Sequence, residues 1–166
     1  MRSIAFGLVM VVLLSFLVVP LVEVACLMRE KVIVSTAVSN SCRSAKDTSL
    51  REEAMQDLDA VVDKKRFMEY YADTFCKILN LDVAAMDVAG GVINFTSKDG
   101  RYNDFLVIVQ TADSIDLSEQ TVSRADIRVE SVYKFKTKYL QLAERAYPDL
   151  SYKLTAKRSL DLSVKN

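Results

Sequence analysis

No charged side chain interrupts the chain between Ser3 and Val22, and Val, Leu, Ile and Phe fill most of that stretch. At 1.5 Å per residue, roughly 20 such residues cross a hydrocarbon core about 30 Å thick. A buried helix of a soluble protein shows a polar stripe within that length. The pattern therefore predicts a transmembrane anchor over residues 1–28. The apolar run is longer than that of a secretory signal, and it leads into Leu21, Val22, Glu23, Val24, Ala25 and Cys26 instead of a small-residue cleavage site. A retained anchor is expected.

Apolar positions continue beyond Glu23 at Val24, Leu27, Val32, Ile33, Val34 and Val38, with no Gly or Pro before Asp47. This predicts one helix leaving the bilayer for several turns, with a kink at Pro20, where a backbone hydrogen bond is lost. Ala37, Ser41 and Ala45 recur every four residues, a small-residue stripe that lets another element approach closely. Ser49 followed by Glu52 has the pattern of a capping box, so a second helix is expected from Leu50 to about Leu79. Its apolar face is Leu58, Val61, Met68, Tyr71, Phe75 and Ile78.

From Gly90 the period becomes alternating. Val92 to Thr96 and Asp104 to Thr111 flank Lys98, Asp99 and Gly100, which predicts a hairpin. Phe105 to Val109 is apolar at every position, as expected of a central strand covered on both sides. Ile127 to Phe135 alternates as a half-buried strand. A short helix is expected from Tyr139 to Ala146, ended by Tyr147 and Pro148. The last strand turns Tyr152, Leu154, Ala156, Leu160 and Leu162 inward, and Arg158 marks a bulge or an edge position. The predicted class is α+β: a long N-terminal helix and a second helix packed on a four-stranded antiparallel sheet, with residues 29–166 forming one domain.

Composition removes function classes. The chain of 166 residues carries 22 basic and 22 acidic side chains, with no basic stripe bearing interleaved aromatics, so no nucleic-acid partner is expected. It has no histidine, the usual general base near neutral pH and the commonest metal ligand. Cys26, Cys42 and Cys76 lack metal-ligand spacing. No phosphate loop or Gly-x-Ser-x-Gly elbow exists. Asp113 and Asp116 fall in a polar segment, Ala112 to Thr121, where solvated acids are the rule, and this segment lacks EF-hand spacing. No catalytic residue, cofactor or metal is therefore assigned, and the protein is expected not to be an enzyme. In a straight helical hairpin Cys42 and Cys76 lie too far apart to bond; free, buried thiols are expected, with a Cys42–Cys76 disulfide as the alternative. Asn94-Phe95-Thr96 matches a glycosylation sequon inside a predicted strand, and no function is attached to it.

Glu23, Leu27, Ala37, Ser41, Arg43 and Ala45, in the context LVEVACLMREKVIVSTAVSNSCRSA, resemble the TadE-like pseudopilins of tight-adherence pilus systems. Val129 to Lys138 and Leu154 to Leu162 resemble that family's closing strands. The resemblance implies a pilin-like fold and makes Glu23, Ala37, Ser41, Arg43 and Ala45 the helix-packing residues. It implies a structural or assembly role in a pilus or type II-secretion-like machine, with other pilin-like subunits or platform proteins, and the lipid bilayer, as partners. The chain departs from processed prepilins: Val12 stands at the spacing from Gly7 where they carry Glu. A minor component or assembly factor is therefore the implied role. The rival reading is a membrane-tethered binding or sensory module using the sheet or the Ala112–Thr121 segment. In both, the protein is a single-pass component of the cell membrane with its C-terminal domain outside the cytoplasm.

Overall fold

The computed structural model describes residues 2–54, 64–115, 121–147 and 151–162. Its first element, α1, is a continuous helix from Arg2 to Ala54, 53 residues long, with Pro20 inside it. Two further helices, α2 (Lys64–Leu79) and α3 (Lys138–Ala146), accompany five strands among the described residues: β1 (Leu81–Asp87), β2 (Val92–Ser97), β3 (Phe105–Ile115), β4 (Thr121–Val132) and β5 (Lys153–Asp161). The strands form one antiparallel meander in the order β1-β2-β3-β4-β5.

The sheet thus has five strands where four were expected. The additional strand, β1, has the sequence Leu-Asp-Val-Ala-Ala-Met-Asp, whose Ala and Asp residues are poor strand formers. Pairing with β2 holds it in place, with a register shift between Val83 and Ala85. A single left-handed residue, Asn80 (φ 55°), turns the chain from α2 into β1.

The boundary between the first two helices also differs from expectation. Ser49 caps nothing. Its hydroxyl donates back to the Ala45 carbonyl at 2.6 Å and the Lys46 carbonyl at 3.1 Å, as serine does inside a helix. The helix runs on through Leu50 to Ala54. Leu58 and Val61 lie outside the described residues.

Both long helices lie on one face of the sheet, α1 toward β5 and α2 toward β1 and β2. Alternate residues of the central strands, among them Ile93, Phe95, Phe105, Val107, Val109, Ile127 and Val129, meet Val34, Ala37, Val38, Cys42 and Ala45 of α1 in one core. From α2 come Phe67, Met68, Tyr71, Ala72, Phe75 and Leu79. Ile78 is exposed, because one residue is a rotation of about 100° and Leu79 already occupies the buried row. Phe75 is the aromatic centre, 5.1 Å from Phe95 and 5.8 Å from Phe105 between ring centroids.

The other sheet face carries no helix from the described residues. Leu106 and Ile108, expected to be covered, are half-exposed there, so the uniformly apolar run marks the middle of an open face and not a doubly covered strand. Arg158 pairs with Ile127 on the helix-covered face of β5, an edge strand, where its side chain reaches solvent.

Candidate functional site

The functional feature that emerges is a seam, not a pocket. The lower half of α1 stands clear of the domain: the apolar window at its N-terminal end is entirely unburied, and the helix is long and apolar enough to span a membrane. The upper half is built into the core. The transition between the two is held by two carboxylates.

Glu23 and Glu30 are two turns apart, about 10 Å along the axis, and point to one face because seven residues return a helix to within about 20° of its start. Glu23 is 3% exposed and Glu30 2%. Glu23 accepts hydrogen bonds at Oε1 from the Tyr133 hydroxyl at 3.1 Å and the Lys136 backbone N–H at 2.8 Å. Glu30 accepts from Arg101 at 3.1 Å, Tyr102 at 2.9 Å and the Lys136 ammonium at 3.0 Å. The domain therefore grips α1 through the β2–β3 hairpin and through the segment that follows β4.

The charges explain the tightness of this grip. Burial pushes the Glu30 carboxyl up, but the hydrogen bonds from Lys136, Tyr102 and Arg101 outweigh it and hold the group below the usual carboxylate range. Burial and the hydrogen bond to Glu30 push the Tyr102 phenol up to about 12. Burial and the charge of Glu23 push the Tyr133 phenol up as well. Both phenols thus stay protonated and act as donors near neutral pH. Glu23 Oε2 has no partner among the described residues.

The helix-packing residues expected from the sequence divide into three groups. Ala37, Ser41 and Ala45 are fully buried in the core, where their small side chains let α2 approach; Thr74 of α2 donates across to Ser44 at 3.2 Å. Glu23 belongs to the same face but engages Tyr133 and Lys136, just beyond β4, instead of α2. Arg43 is apart from both, its side chain 84% exposed and 3.7 Å from Asp47. Cys42 and Cys76 are free thiols, as is Cys26. Cys42 is buried in the core, and burial pushes its thiol up to about 12; Cys76 faces a groove between α2 and β1 that Asp82 and Lys98 also line. Asp113 lies within β3, its backbone paired with Ser123, and Asp116 lies outside the described residues. No group of three or more His, Cys, Asp or Glu residues is positioned to hold a metal among the described residues.

Glu30, Arg101, Tyr102, Tyr133 and Lys136 were not singled out by sequence reasoning. One signal was present: Ala37 stepped back by sevens reaches Glu30 and then Glu23, so the small-residue face and the two carboxylates share one stripe.

An α+β domain mounted on an extended apolar helix is the class that this geometry defines. No protein-family model, curated protein or solved structure matches the chain.

Proposed function

We propose that the protein is a membrane-anchored structural or assembly component, of the pseudopilin-like kind found in pilus and type II-secretion-like machines. Its lower α1 sits in the bilayer of the cell membrane, and its domain stands outside the cytoplasm. It works mechanically, by holding a domain at a fixed height and orientation, and performs no catalysis.

The observation that carries this reading is the continuity of α1, which is exposed and apolar at one end and part of the domain core at the other. A flexible tether would suffice to keep an enzyme or receptor near a membrane. A helix shared between anchor and core instead transmits force and orientation. The rod also presents Val24, Met28 and Val32, exposed at intervals of four on the side away from the sheet. These suit contact with a neighbouring subunit or platform protein.

In-cell photocrosslinking from a photoreactive residue replacing Met28 or Val32 tests this. Adducts with other copies or with membrane proteins are expected. Adducts with lipid alone at both positions would contradict the assembly role. A second reading, a tethered binding module, is favoured by one feature: the open sheet face has a shallow groove lined by Ile108, Gln110, Asp126, Arg128, Lys157 and Ser159. It predicts that Arg128→Glu with Lys157→Glu abolishes function while crosslinking from α1 is absent.

A further inference from the structure

The helix α3 packs little of its surface on the rest of the domain. Lys138, Leu142 and Arg145 recur at the one-face spacing of a helix and all three are exposed, with Leu142 at 61%. Tyr147, just past the end, is 68% exposed. Leu140 and Glu144, on the opposite side, are half-covered, and Gln141 donates to the Phe135 carbonyl at 2.7 Å, which fixes the rotation of the helix. The outward face of α3 thus presents one large apolar side chain between two cations, with an exposed tyrosine just beyond.

The position of α3 identifies what covers it. The Lys136 N–H bonds to Glu23, the first charged residue after the uncharged span, and α3 starts two residues later, within about 7 Å of chain. From Ile4 to Glu23 the helix rises about 28 Å, close to the thickness of a hydrocarbon core. The grip on Glu23 therefore sets α3 at the depth where acyl chains give way to headgroups. Exposed apolar residues on α1 continue past Glu23 through Val24 and Met28 to Val32, and the first exposed charges, Arg29 and Lys31, come among the last of them, so lipid headgroups extend about two turns above Glu23.

We infer that α3 is a second membrane contact, which rests its Lys138–Leu142–Arg145 face and Tyr147 on an anionic phospholipid surface. Leucine and tyrosine enter the boundary between headgroups and acyl chains, where tyrosine is favoured, and the two cations extend to lipid phosphates. With α1 crossing the bilayer and α3 lying on it, rod and domain have two attachments and keep a fixed tilt to the membrane.

This inference rests on the membrane insertion of α1, and the experiment separates the two. The chain has no tryptophan, so Leu142→Trp, Leu13→Trp and Ala89→Trp each give a single tryptophan, excited selectively over the tyrosines, in the full-length protein. Ala89 is exposed in the turn between β1 and β2, at the end of the sheet away from the Glu30 contacts. The variants are reconstituted in vesicles of phosphatidylcholine and phosphatidylglycerol whose acyl chains carry bromine either close to the headgroup or deep.

We expect Leu142→Trp to emit at shorter wavelength than Ala89→Trp and to lose most of its intensity with shallow bromine. Leu13→Trp should be quenched by deep bromine and Ala89→Trp by neither. Adding Lys138→Glu and Arg145→Glu should return Leu142→Trp to water-like emission. Water-like, unquenched emission from Leu142→Trp beside a quenched Leu13→Trp would overturn the inference and leave the anchor standing. Short-wavelength but unquenched emission would show a protein surface, such as a second copy, covering α3, and would overturn it equally. An unquenched Leu13→Trp would remove the anchor and this inference with it.

Discussion

Tyr71 and Ser41 are both fully buried, and neither the Tyr71 hydroxyl nor the Ser41 hydroxyl has a partner among the described residues. A buried hydroxyl without a hydrogen bond costs about 1–3 kcal/mol. Tyr71→Phe is therefore expected to raise the denaturation midpoint, by about 1 kcal/mol equivalent. A loss of that size would contradict the description of this site. Ser41→Leu does the reverse, forcing extra methylenes into the contact between α1 and α2 at about 1–3 kcal/mol. Glu30 supplies a pH-dependent test. Its carboxyl is held below the usual carboxylate range by Lys136, Tyr102 and Arg101, so its contribution is complete above the unfolded pKa of about 4.3 and is lost as pH falls through the depressed folded value. Wild-type stability should drop more steeply than that of Glu30→Gln below about pH 4.5, and the two slopes should agree between pH 5 and 7; coincident curves down to acid unfolding would contradict the network. The network is also asymmetric. Glu30 is buried while Arg101 and Lys136 are about half-exposed, so removing both cations strands a buried charge, at about 3–5 kcal/mol. Removing Glu30 leaves cations that water can reach, and the cost is smaller.

At the scale of elements, the reading from sequence succeeded where periodicity was long and failed where a local motif competed with it. The N-terminal helix, the β2–β3 hairpin, the Ile127–Val132 half of β4 and the short helix before Pro148 were legible from residue spacing, whereas Ala112–Ile115 extends β3 and β4 begins at Thr121, where a polar segment was expected. The false break at Ser49 came from reading Ser49 and Glu52 as a cap, although helical apolar spacing ran straight through them. The strand β1 was illegible because Leu81–Asp87 carries two Asp and two Ala and draws its order from β2. Two backbone substitutions test these elements. Thr48→Pro would fit a turn before a new helix, but inside α1 it removes a hydrogen bond and clashes with the preceding turn, at about 3 kcal/mol. Thermal or urea denaturation distinguishes that loss from no effect. Gly91 is at φ 67°, and an added Cβ would collide with the Val109 carbonyl, whose own N–H donates to the Gly91 carbonyl at 2.7 Å. Gly91→Ala should therefore cost on the order of 1–3 kcal/mol; an unchanged midpoint would mean that the β1–β2 turn relaxes freely.

The whole molecule is organised around one helix. Its lower part is apolar and exposed, its middle is gripped at Glu23 and Glu30, and its upper part is core. Packing by the domain begins at Glu23, so the helix is gripped within residues 1–28, the segment that the sequence assigns to the anchor. The partners of Glu23 and Glu30 lie 71 to 113 residues away in the chain, so the heptad stripe can point to the two carboxylates but no local pattern points to Arg101, Tyr102, Tyr133 or Lys136. The central claim is that anchor and domain share one rigid rod. Spin labels at Leu13 and Asn40, carried by non-canonical residues so that the native thiols remain, report on it directly by pulsed dipolar spectroscopy in lipid nanodiscs. Twenty-seven helical steps predict a single narrow distance distribution near about 40 Å. A broad distribution, or one centred well below that distance, would show a hinge between membrane and domain and would contradict the account.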